Sequence, residues 1–107
     1  MKKKKLLFVC SANLQRSPTA ESLFENNEKY EAKSAGTDVF AINPLTHKTI
    51  NWADVIFCME GFHKDFILEN FQEANEKEII NLDISDIYYR NDPELIEILK
   101  EKLKKYL

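Results

Sequence analysis

One cysteine and one arginine, Cys10 and Arg16, stand six positions apart near the start of the chain. A cysteine thiolate can attack a phosphorus atom, and the planar guanidinium of an arginine can bind two phosphate oxygens together. The placement is selective, because only Arg16 and Arg90 are arginines among the fifteen basic residues. The residues between the pair are Ser11, Ala12, Asn13, Leu14 and Gln15. The spacing therefore predicts a short loop in which Cys10, Arg16 and the intervening backbone contact the same phosphate group.

The residues on either side of this loop predict a strand before it and a helix after it. Apolar residues run from Leu6 to Cys10, as in a buried strand. Ser17 is expected to cap the helix, and Pro18 to occupy its first position. Backbone N–H groups of such a loop point inward and bind an anion, and the positive end of the helix dipole favours the thiolate form of Cys10. The alternative, an inert buried cysteine, leaves the spacing to Arg16 unexplained.

The composition predicts one domain over residues 1–107. The chain is 44% hydrophobic with few glycines and prolines, which suits a single core. A net charge of −3, with lysines scattered among glutamates, argues against a nucleic-acid partner.

No segment is long and apolar enough for a membrane span, and the two cysteines suit a reducing compartment, so a cytoplasmic protein without a membrane partner is expected. The two histidines stand apart from the cysteines, so neither a metal site nor a cofactor is expected. No pattern indicates an oligomeric state.

Strand and helix patterns alternate, which predicts an α/β fold with a four-stranded parallel sheet flanked by helices. The strands are expected at 5–10, 31–34, 55–59 and 79–84, and the helices at 18–27, 43–51, 61–74 and from 93 onward. Asp92 is expected to cap the last helix and Pro93 to begin it. The apolar residues expected to face the core are Phe62, Phe66, Ile67 and Phe71 in the third helix, and Leu95, Ile96, Leu99, Leu103 and Tyr106 in the last.

In open α/β sheets ligands bind at the carboxyl ends of the strands. Four segments are expected to meet at that edge: Cys10, Ser34–Thr37, Met59–Glu60 and Asp86. Their convergence would place a carboxylic acid beside the cysteine and the arginine.

Several segments of the chain resemble, in the same order, those of the low-molecular-weight protein tyrosine phosphatases and their shorter bacterial relatives. Beyond the loop they are Ser17–Glu21, Ser34–Thr37, Trp52–Glu60 with His63, and Asp86–Tyr89, which together span nearly the whole chain. The resemblance implies a phosphotyrosine phosphatase I-like fold and a hydrolase that forms a phosphocysteine intermediate. Its substrate would be a phosphorylated protein, with phosphotyrosine as the expected residue, or a small phosphomonoester.

Three departures from that family concern the loop and its rim. Ala12 stands where better-known members have glycine, and Gln15 stands where they have a second cysteine that can form a protective disulfide with the nucleophile. The segment between Thr37 and Trp52 is much shorter than usual, and it normally supplies a helix and part of the substrate rim. The phosphate chemistry is expected to survive these changes, whereas the identity of the substrate depends on them.

Three aspartates compete for the role of the general acid that protonates the leaving oxygen. Asp86 follows the fourth strand, and the resemblance places it at the general acid of the family, although Ile87 stands where the family usually has proline. Asp83 alternates away from the face that Leu82 and Ile84 share, and Asp92 is expected as a helix cap. Asp86 is therefore the candidate acid.

Other residues near the loop have two interpretations each. Ser17 either donates its hydroxyl to the sulfur of Cys10 or serves as a helix cap alone, and both roles are compatible. Asn13 is expected to fix the loop, because asparagine tolerates a positive φ. Leu14 is expected at the rim, and Phe40 either at the rim or in the core. Of Tyr88 and Tyr89, one is expected to line the pocket, as the resemblance implies; Tyr88 is the candidate.

Residues of the third strand and its surroundings have mainly structural interpretations. Glu60 and His63 are expected to cap a helix, and Trp52 to lie in the core. Cys58 is expected as a core cysteine, with a disulfide to Cys10 as the alternative.

Two other functions use a similar loop. An arsenate reductase finishes its cycle with resolving cysteines, and this chain has one spare cysteine, so such an enzyme would need an external thiol. A non-catalytic phosphate- or phosphotyrosine-binding module would retain Arg16 but would not need Cys10 or Asp86. The joint presence of these residues favours an enzyme.

Overall fold

Four parallel strands form one sheet in the order β2-β1-β3-β4, as the alternating patterns predict. The computed structural model describes residues 2–107. The strands are β1 (Lys4–Cys10), β2 (Tyr30–Gly36), β3 (Val55–Cys58) and β4 (Glu78–Asn81). The helices are α1 (Arg16–Ser22), α2 (His47–Trp52), α3 (Gly61–Asn70) and α4 (Pro93–Leu103), with a short 3₁₀ helix at Gln72–Glu76. No helix within residues 2–107 has both the length and the hydropathy needed to cross a membrane.

Each face of the sheet packs against its own helices, because successive side chains of a strand point to opposite faces. On one face Leu6, Phe8 and Cys10 of β1 belong to a cluster with residues of α1 and α4. On the other face Leu7 and Val9 belong to a cluster with residues of α2, α3 and the 3₁₀ helix. β1 is thus buried on both faces, and its carboxyl end lies at the centre of the sheet edge.

The first helix differs from its predicted bounds at both ends. Gln15 is the N-cap of α1, and Ser17 lies inside the first turn, so the prediction of Ser17 as the cap and of Pro18 as the first helical residue is wrong. The Ser17 hydroxyl instead contacts loop side chains, which is a tertiary contact that the Ser-Pro pattern does not reveal. The helix ends at Ser22 because the chain then turns, with Asn26 at a φ of 58°.

The second helix begins later than the prediction of residue 43, because the chain around Pro44 is extended. Gly36 donates to the carbonyl oxygen of Asn43 at 2.9 Å and accepts from the N–H of Leu45 at 3.0 Å. The helix begins only at His47, where the Thr46 hydroxyl accepts a hydrogen bond from the backbone of Thr49. The shortened segment after β2 is therefore hydrogen-bonded to that strand.

The third helix and the fourth strand are both shorter than expected. α3 ends at Asn70 instead of continuing toward Ala74, and Phe62, expected in the core, is 56% exposed. β4 ends at Asn81 because Asp83 adopts a φ of 56°, although Ile84 still donates to the carbonyl of Met59. The backbone beyond β4 thus stays close to β3 without continuing the ladder.

The last helix follows its predicted pattern closely. The Asp92 carboxylate accepts a hydrogen bond from the N–H of Glu94 at 2.9 Å, and Pro93 begins the helix. The buried residues of its apolar stripe are Leu95, Leu99 and Leu103, while Ile96 is half-buried. Tyr106 lies beyond the helix, 47% exposed, with the edge of its ring against Phe57.

Gly36, at the carboxyl end of β2, is required by a close approach of three chain segments. A Cβ at this position would lie 2.6 Å from the Cβ of Ala41 and closer still to the carbonyl oxygen of Ser11. We therefore expect Gly36→Ala to lower the free energy of unfolding by about 1–3 kcal/mol, as for overpacking in a core. Thermal or urea denaturation would measure the change.

Gly61→Ala is the matched control for Gly36→Ala. A Cβ there would meet its nearest neighbour, Nδ2 of Asn81, at 3.5 Å, which is an ordinary contact. Because Gly61 lies in α3, alanine should be neutral or raise stability by up to about 1 kcal/mol. Equal stability of the two variants would contradict the assignment of Gly36 as a close-packed position.

Candidate active site

The loop that follows β1 presents its N–H groups to the centre of the site. The carbonyl oxygens of Cys10, Ser11 and Ala12 accept hydrogen bonds from the N–H groups of Thr37, Asp38 and Ile42. Within residues 2–107, the N–H groups from Ser11 to Gln15 donate to no protein acceptor. Carbonyls bound on the outside and donors left unpaired on the inside make a cradle for an anion.

Asn13 fixes this loop, as the sequence predicts for its position. Its φ is 59°, in the left-handed region that asparagine tolerates. Its side-chain oxygen accepts from Nδ2 of Asn43 at 2.9 Å, and its Nδ2 donates to Oγ of Ser17 at 2.8 Å. Asn13 thereby joins the loop to the segment after β2 and to helix α1.

The Cys10 thiol lies at the base of the cradle, with the residue only 3% exposed. Its sulfur is 3.0 Å from Oγ of Ser17. Because Ser17 accepts its own hydrogen bond from Asn13, its hydroxyl proton can be directed to the sulfur. A donor at that position stabilises a thiolate, which is one of the two roles predicted for Ser17.

Arg16 extends from the end of the loop beneath the site and is 2% exposed. Its Nη1 donates to a carboxylate oxygen of Glu60 at 2.9 Å and to the carbonyl oxygen of Ile84 at 2.8 Å. Nη2 makes no hydrogen bond within residues 2–107 and is available to a bound anion. The guanidinium is thus held from behind and offers its free edge to the cradle.

Glu60 occupies the N-cap position of α3, as predicted, and it is also a residue of the site. Its carboxylate pairs with Arg16, since the carboxyl end of β3 lies beside the loop that follows β1. The sequence did offer a signal for this contact, because Glu60 directly follows a strand that was expected to lie next to β1. Removing Glu60 would leave the buried guanidinium without the carboxylate that pairs with Nη1.

His63 connects the first turn of α3 to the loop and is fully buried. Its Nδ1 accepts from the N–H of Glu60 at 3.0 Å, and its Nε2 is 2.9 Å from Oγ of Ser11. Because Nδ1 is an acceptor, the proton of the neutral ring lies on Nε2 and is donated to Ser11. Burial, followed by the nearby charge of Arg16, lowers the pKa of His63 to about 4. The ring is therefore neutral at physiological pH and holds the loop by a hydrogen bond.

These residues open into a cleft of about 390 Å³. The residues that line it are Cys10, Ala12, Leu14, Gln15, Arg16, Asp86, Ile87, Tyr88 and Tyr89. The structure thus places most of the predicted site residues around one cavity, and both tyrosines contribute to its wall. Ser11, Asn13 and Ser17 support the cavity from behind through the hydrogen bonds described above.

Asp86 stands at the mouth of this cleft, with its side chain 62% exposed. One carboxylate oxygen is 3.6 Å from Nε of Arg16. The competing aspartates are elsewhere: Asp83 does not line the cleft, and Asp92 caps α4. Among the three, only Asp86 can reach a group bound in the cradle.

The segment that carries Asp86, residues 82–92, is tied to the helices at both ends. Nζ of Lys102 donates to the carbonyl oxygens of Leu82 and Asp83 at 2.7 and 2.9 Å. At the other end, Oε1 of Gln15 accepts from the N–H of Arg90, and Oγ1 of Thr19 accepts from the N–H of Asn91. Gln15 thus fastens the segment to the loop.

Three other residues with predicted roles lie outside the cleft. Phe40 is 94% exposed on the segment after β2, so it belongs to the surface and not to the core. Trp52 is half-buried, with Nζ of Lys33 4.6 Å from the centre of its ring. Cys58 is fully buried in the cluster on the face of the sheet opposite to Cys10, and burial raises its pKa to about 12. The alternative of a Cys10–Cys58 disulfide is therefore wrong, because the two sulfurs lie on opposite faces.

Comparisons with known proteins agree with this geometry. A family model described as low molecular weight phosphotyrosine protein phosphatase matches residues 5–51. A protein-arginine-phosphatase of Geobacillus stearothermophilus is 34% identical over a 99-residue alignment that covers 68% of this chain and 66% of that protein. The chain thus spans about two thirds of the length of this curated relative.

Solved structures share the fold over nearly the whole chain. The YwlE arginine phosphatase from Geobacillus stearothermophilus superposes with a TM-score of 0.73 at 27% identity, over 94% of this chain and 86% of that one. Vibrio vulnificus Wzb, solved in complex with benzylphosphonate, gives a TM-score of 0.77 at 20% identity over 98% and 97% of the two chains, a likeness of fold alone. With the loop, the parallel sheet and the sequence relatives in agreement, the chain belongs to the low-molecular-weight protein tyrosine phosphatase family.

Proposed function

We propose that this protein is a cysteine-dependent phosphomonoester hydrolase that acts on phosphotyrosine in proteins. The observation that carries the proposal is the arrangement around one cleft of the Cys10 sulfur, the free edge of Arg16, the unpaired loop N–H groups and the Asp86 carboxyl group. Each of the four has a separate part in transferring a phosphoryl group.

In the first step the Cys10 thiolate attacks phosphorus, so that an S–P bond forms while the P–O bond to the leaving group breaks. Arg16 and the loop N–H groups bind the three equatorial oxygens as charge moves through the transition state. Asp86 gives its proton to the departing oxygen, and such acid catalysis contributes ~10²–10⁴ in rate. The product of this step is a phosphocysteine and a free phenol or alcohol.

In the second step a water molecule attacks the phosphocysteine. The Asp86 carboxylate takes a proton from that water, the P–S bond breaks, and inorganic phosphate leaves. The Ser17 hydroxyl, 3.0 Å from the sulfur, stabilises the thiolate that is released. The enzyme returns to its starting state without a metal or an external reductant.

The walls of the cleft favour an aromatic leaving group. Leu14, Ile87, Tyr88 and Tyr89 surround the approach to the cradle, and aromatic and apolar walls suit a phenyl ring. A second candidate substrate is phosphoarginine, because the relative at 34% identity is named a protein-arginine-phosphatase. The cleft offers one carboxylate, Asp86, to the positive guanidinium of such a substrate, and its other walls favour the neutral ring.

We expect the protein to hydrolyse para-nitrophenyl phosphate with competitive inhibition by vanadate, and to prefer a phosphotyrosine peptide to a phosphoarginine peptide of the same sequence. The measurement is kcat/KM for each peptide, from released phosphate. A preference for phosphoarginine would replace tyrosine by arginine as the substrate residue while keeping the cysteine mechanism.

The remaining candidates predict different outcomes of that assay. A binding module would bind phosphate without releasing product. An arsenate reductase would need a thiol from outside, since Cys58 lies on the other face of the sheet and cannot resolve an adduct on Cys10. Absence of turnover toward all three phosphate compounds would therefore reject the proposal.

A further inference from the structure

A second groove adjoins the catalytic cleft on the far side of Leu14, and we name it the flanking groove. It has a volume of about 320 Å³, and Leu14 lines both depressions. Pro18 and Ile42 provide apolar surface in this groove, and Glu21 and Arg90 are its charged residues. One side chain thus separates a phosphate-binding cleft from a groove that contains an arginine.

Arg90 is one of the two arginines of the chain, and its guanidinium has no partner within residues 2–107. It makes no hydrogen bond, and no carboxylate oxygen lies within 4.0 Å of it. Arg16, in contrast, is buried and paired with Glu60. An exposed guanidinium without a partner is available to an anion from another molecule.

The backbone of Arg90 is fixed, so its side chain extends from a defined position. Its N–H donates to the Gln15 side chain, and the next N–H, of Asn91, donates to Oγ1 of Thr19. Tyr89 lines the catalytic cleft, and Arg90 lines the flanking groove. Two consecutive residues, Tyr89 and Arg90, therefore line the cleft and the flanking groove respectively.

Leu14 lines both depressions, so they lie next to each other on the surface. Residues of an extended peptide follow each other at about 3.3–3.6 Å. A substrate with its phosphorylated residue in the cleft would thus place an adjacent residue at or beside Leu14, within reach of a long arginine side chain.

The two charged side chains of the groove differ in exposure and pairing, which favours an acidic neighbour over a basic one. Glu21 is half-buried, and one of its oxygens already accepts a hydrogen bond from Oγ of Ser34 at 2.5 Å. Arg90 is exposed and unpaired. A ligand that enters the groove from solvent therefore meets an exposed and unpaired guanidinium, whereas the glutamate is half-buried and has one oxygen hydrogen-bonded to Ser34.

We propose that the flanking groove binds the residue next to the phosphorylated one, and that Arg90 selects an acidic side chain there. The proposal rests on the proposed function, because it takes the cleft as the site of the phosphorylated residue. Arg90 is then a specificity-determining residue that contacts the substrate protein outside the reacting group.

The test measures binding, so that it does not depend on turnover. Two phosphotyrosine peptides are compared, one with Glu and one with Gln on both sides of the phosphotyrosine. Isothermal titration calorimetry gives the Kd of each peptide for two proteins, Cys10→Ser and the double variant Cys10→Ser with Arg90→Gln. We expect the Glu peptide to bind Cys10→Ser about three- to fivefold more tightly, as for one exposed charge pair. With Arg90→Gln added, the ratio of the Kd of the Gln peptide to that of the Glu peptide should fall to about one. Added salt should also lower this ratio for Cys10→Ser, which retains Arg90.

Lys29→Gln in the Cys10→Ser chain is the matched control for the change in net charge. Lys29 is exposed and precedes β2 at the amino edge of the sheet, opposite to Cys10, so the ratio should stay as in Cys10→Ser alone. Equal binding of both peptides, binding of neither, or a ratio that survives Arg90→Gln would overturn the proposal. Hydrolysis of para-nitrophenyl phosphate by the unaltered chain tests the proposed function separately.

Discussion

Replacing Cys10 with serine is expected to abolish hydrolysis of para-nitrophenyl phosphate, lowering kcat by about 10⁴-fold or more. A serine hydroxyl must lose its proton to become a comparable nucleophile, and among residues 2–107 no base is hydrogen-bonded to the side chain at position 10. The group 3.0 Å from the sulfur is the Ser17 hydroxyl, and the neutral His63 ring faces Ser11 instead. A serine at position 10 would therefore have no neighbouring group to accept its proton.

Phosphate binding should survive the same change, because the cradle is built from other groups. The N–H groups of the loop and the free edge of Arg16 do not involve the sulfur. Calorimetry with inorganic phosphate should therefore show binding to Cys10→Ser. Loss of turnover together with loss of phosphate binding would instead indicate that the loop had collapsed.

Cys58→Ala is the matched cysteine control. Cys58 is fully buried on the opposite face of the sheet, so its removal should leave kcat within about twofold and lower stability by roughly 1–2 kcal/mol, as for a small cavity. If Cys58→Ala lost activity as fully as Cys10→Ser, a thiol relay between the two cysteines would have to replace the single-nucleophile mechanism.

The sequence was sufficient to predict the cleft because the loop is a local structure. Cys10 and Arg16 are joined by five residues, so any chain turn that pairs a strand end with a helix start brings them together. Asp86 could be placed at the same edge by the rule that parallel strands end there. The rule applied even though β4 is shorter than predicted, since Ile84 remains hydrogen-bonded to Met59.

Contacts between distant segments could not be predicted in the same way. Glu60 follows β3 as a helix cap would, and only the register of β3 beside β1 shows that its carboxylate reaches Arg16. Ser17 precedes a proline, as many N-caps do, but the hydrogen bonds to Cys10 and Asn13 draw its hydroxyl into the site. For Ser17 the local preference was overridden by its contacts with Cys10 and Asn13, whereas Glu60 remains the N-cap of α3 while its carboxylate binds Arg16.

Tethering at both ends distinguishes the segment that carries Asp86 from an ordinary surface loop. Lys102 holds its beginning, and the Gln15 and Thr19 side chains hold its end. Two residues with positive φ, Asp83 and Asn91, mark where the chain changes direction. The segment between them therefore carries Asp86 from two anchored ends, and positioning of this kind is what a general acid requires.

Asp86→Asn is expected to lower kcat/KM by ~10²–10⁴ for phenyl phosphate and by clearly less for para-nitrophenyl phosphate. Asparagine keeps the shape of the side chain but has no proton to give. Phenolate is the poorer leaving group and needs that proton, whereas para-nitrophenolate departs more readily without it. The slope of log kcat/KM against the pKa of the leaving phenol, measured over a series of aryl phosphates, should therefore become steeper in the variant.

Asp83→Asn is the control for this series, because it makes the same chemical change three residues away. Asp83 does not line the cleft, its φ of 56° suits asparagine, and its carbonyl contact with Lys102 does not involve the side chain. The slope of log kcat/KM against the pKa of the leaving phenol should be the same for Asp83→Asn as for the unaltered chain.

An equal loss of kcat/KM for all aryl phosphates in Asp86→Asn would contradict the role of Asp86 as the acid. The carboxyl group would then serve to hold Arg16, 3.6 Å away, and the proton would have to come from another donor. A steeper slope in Asp83→Asn alone would transfer the role of acid to that residue.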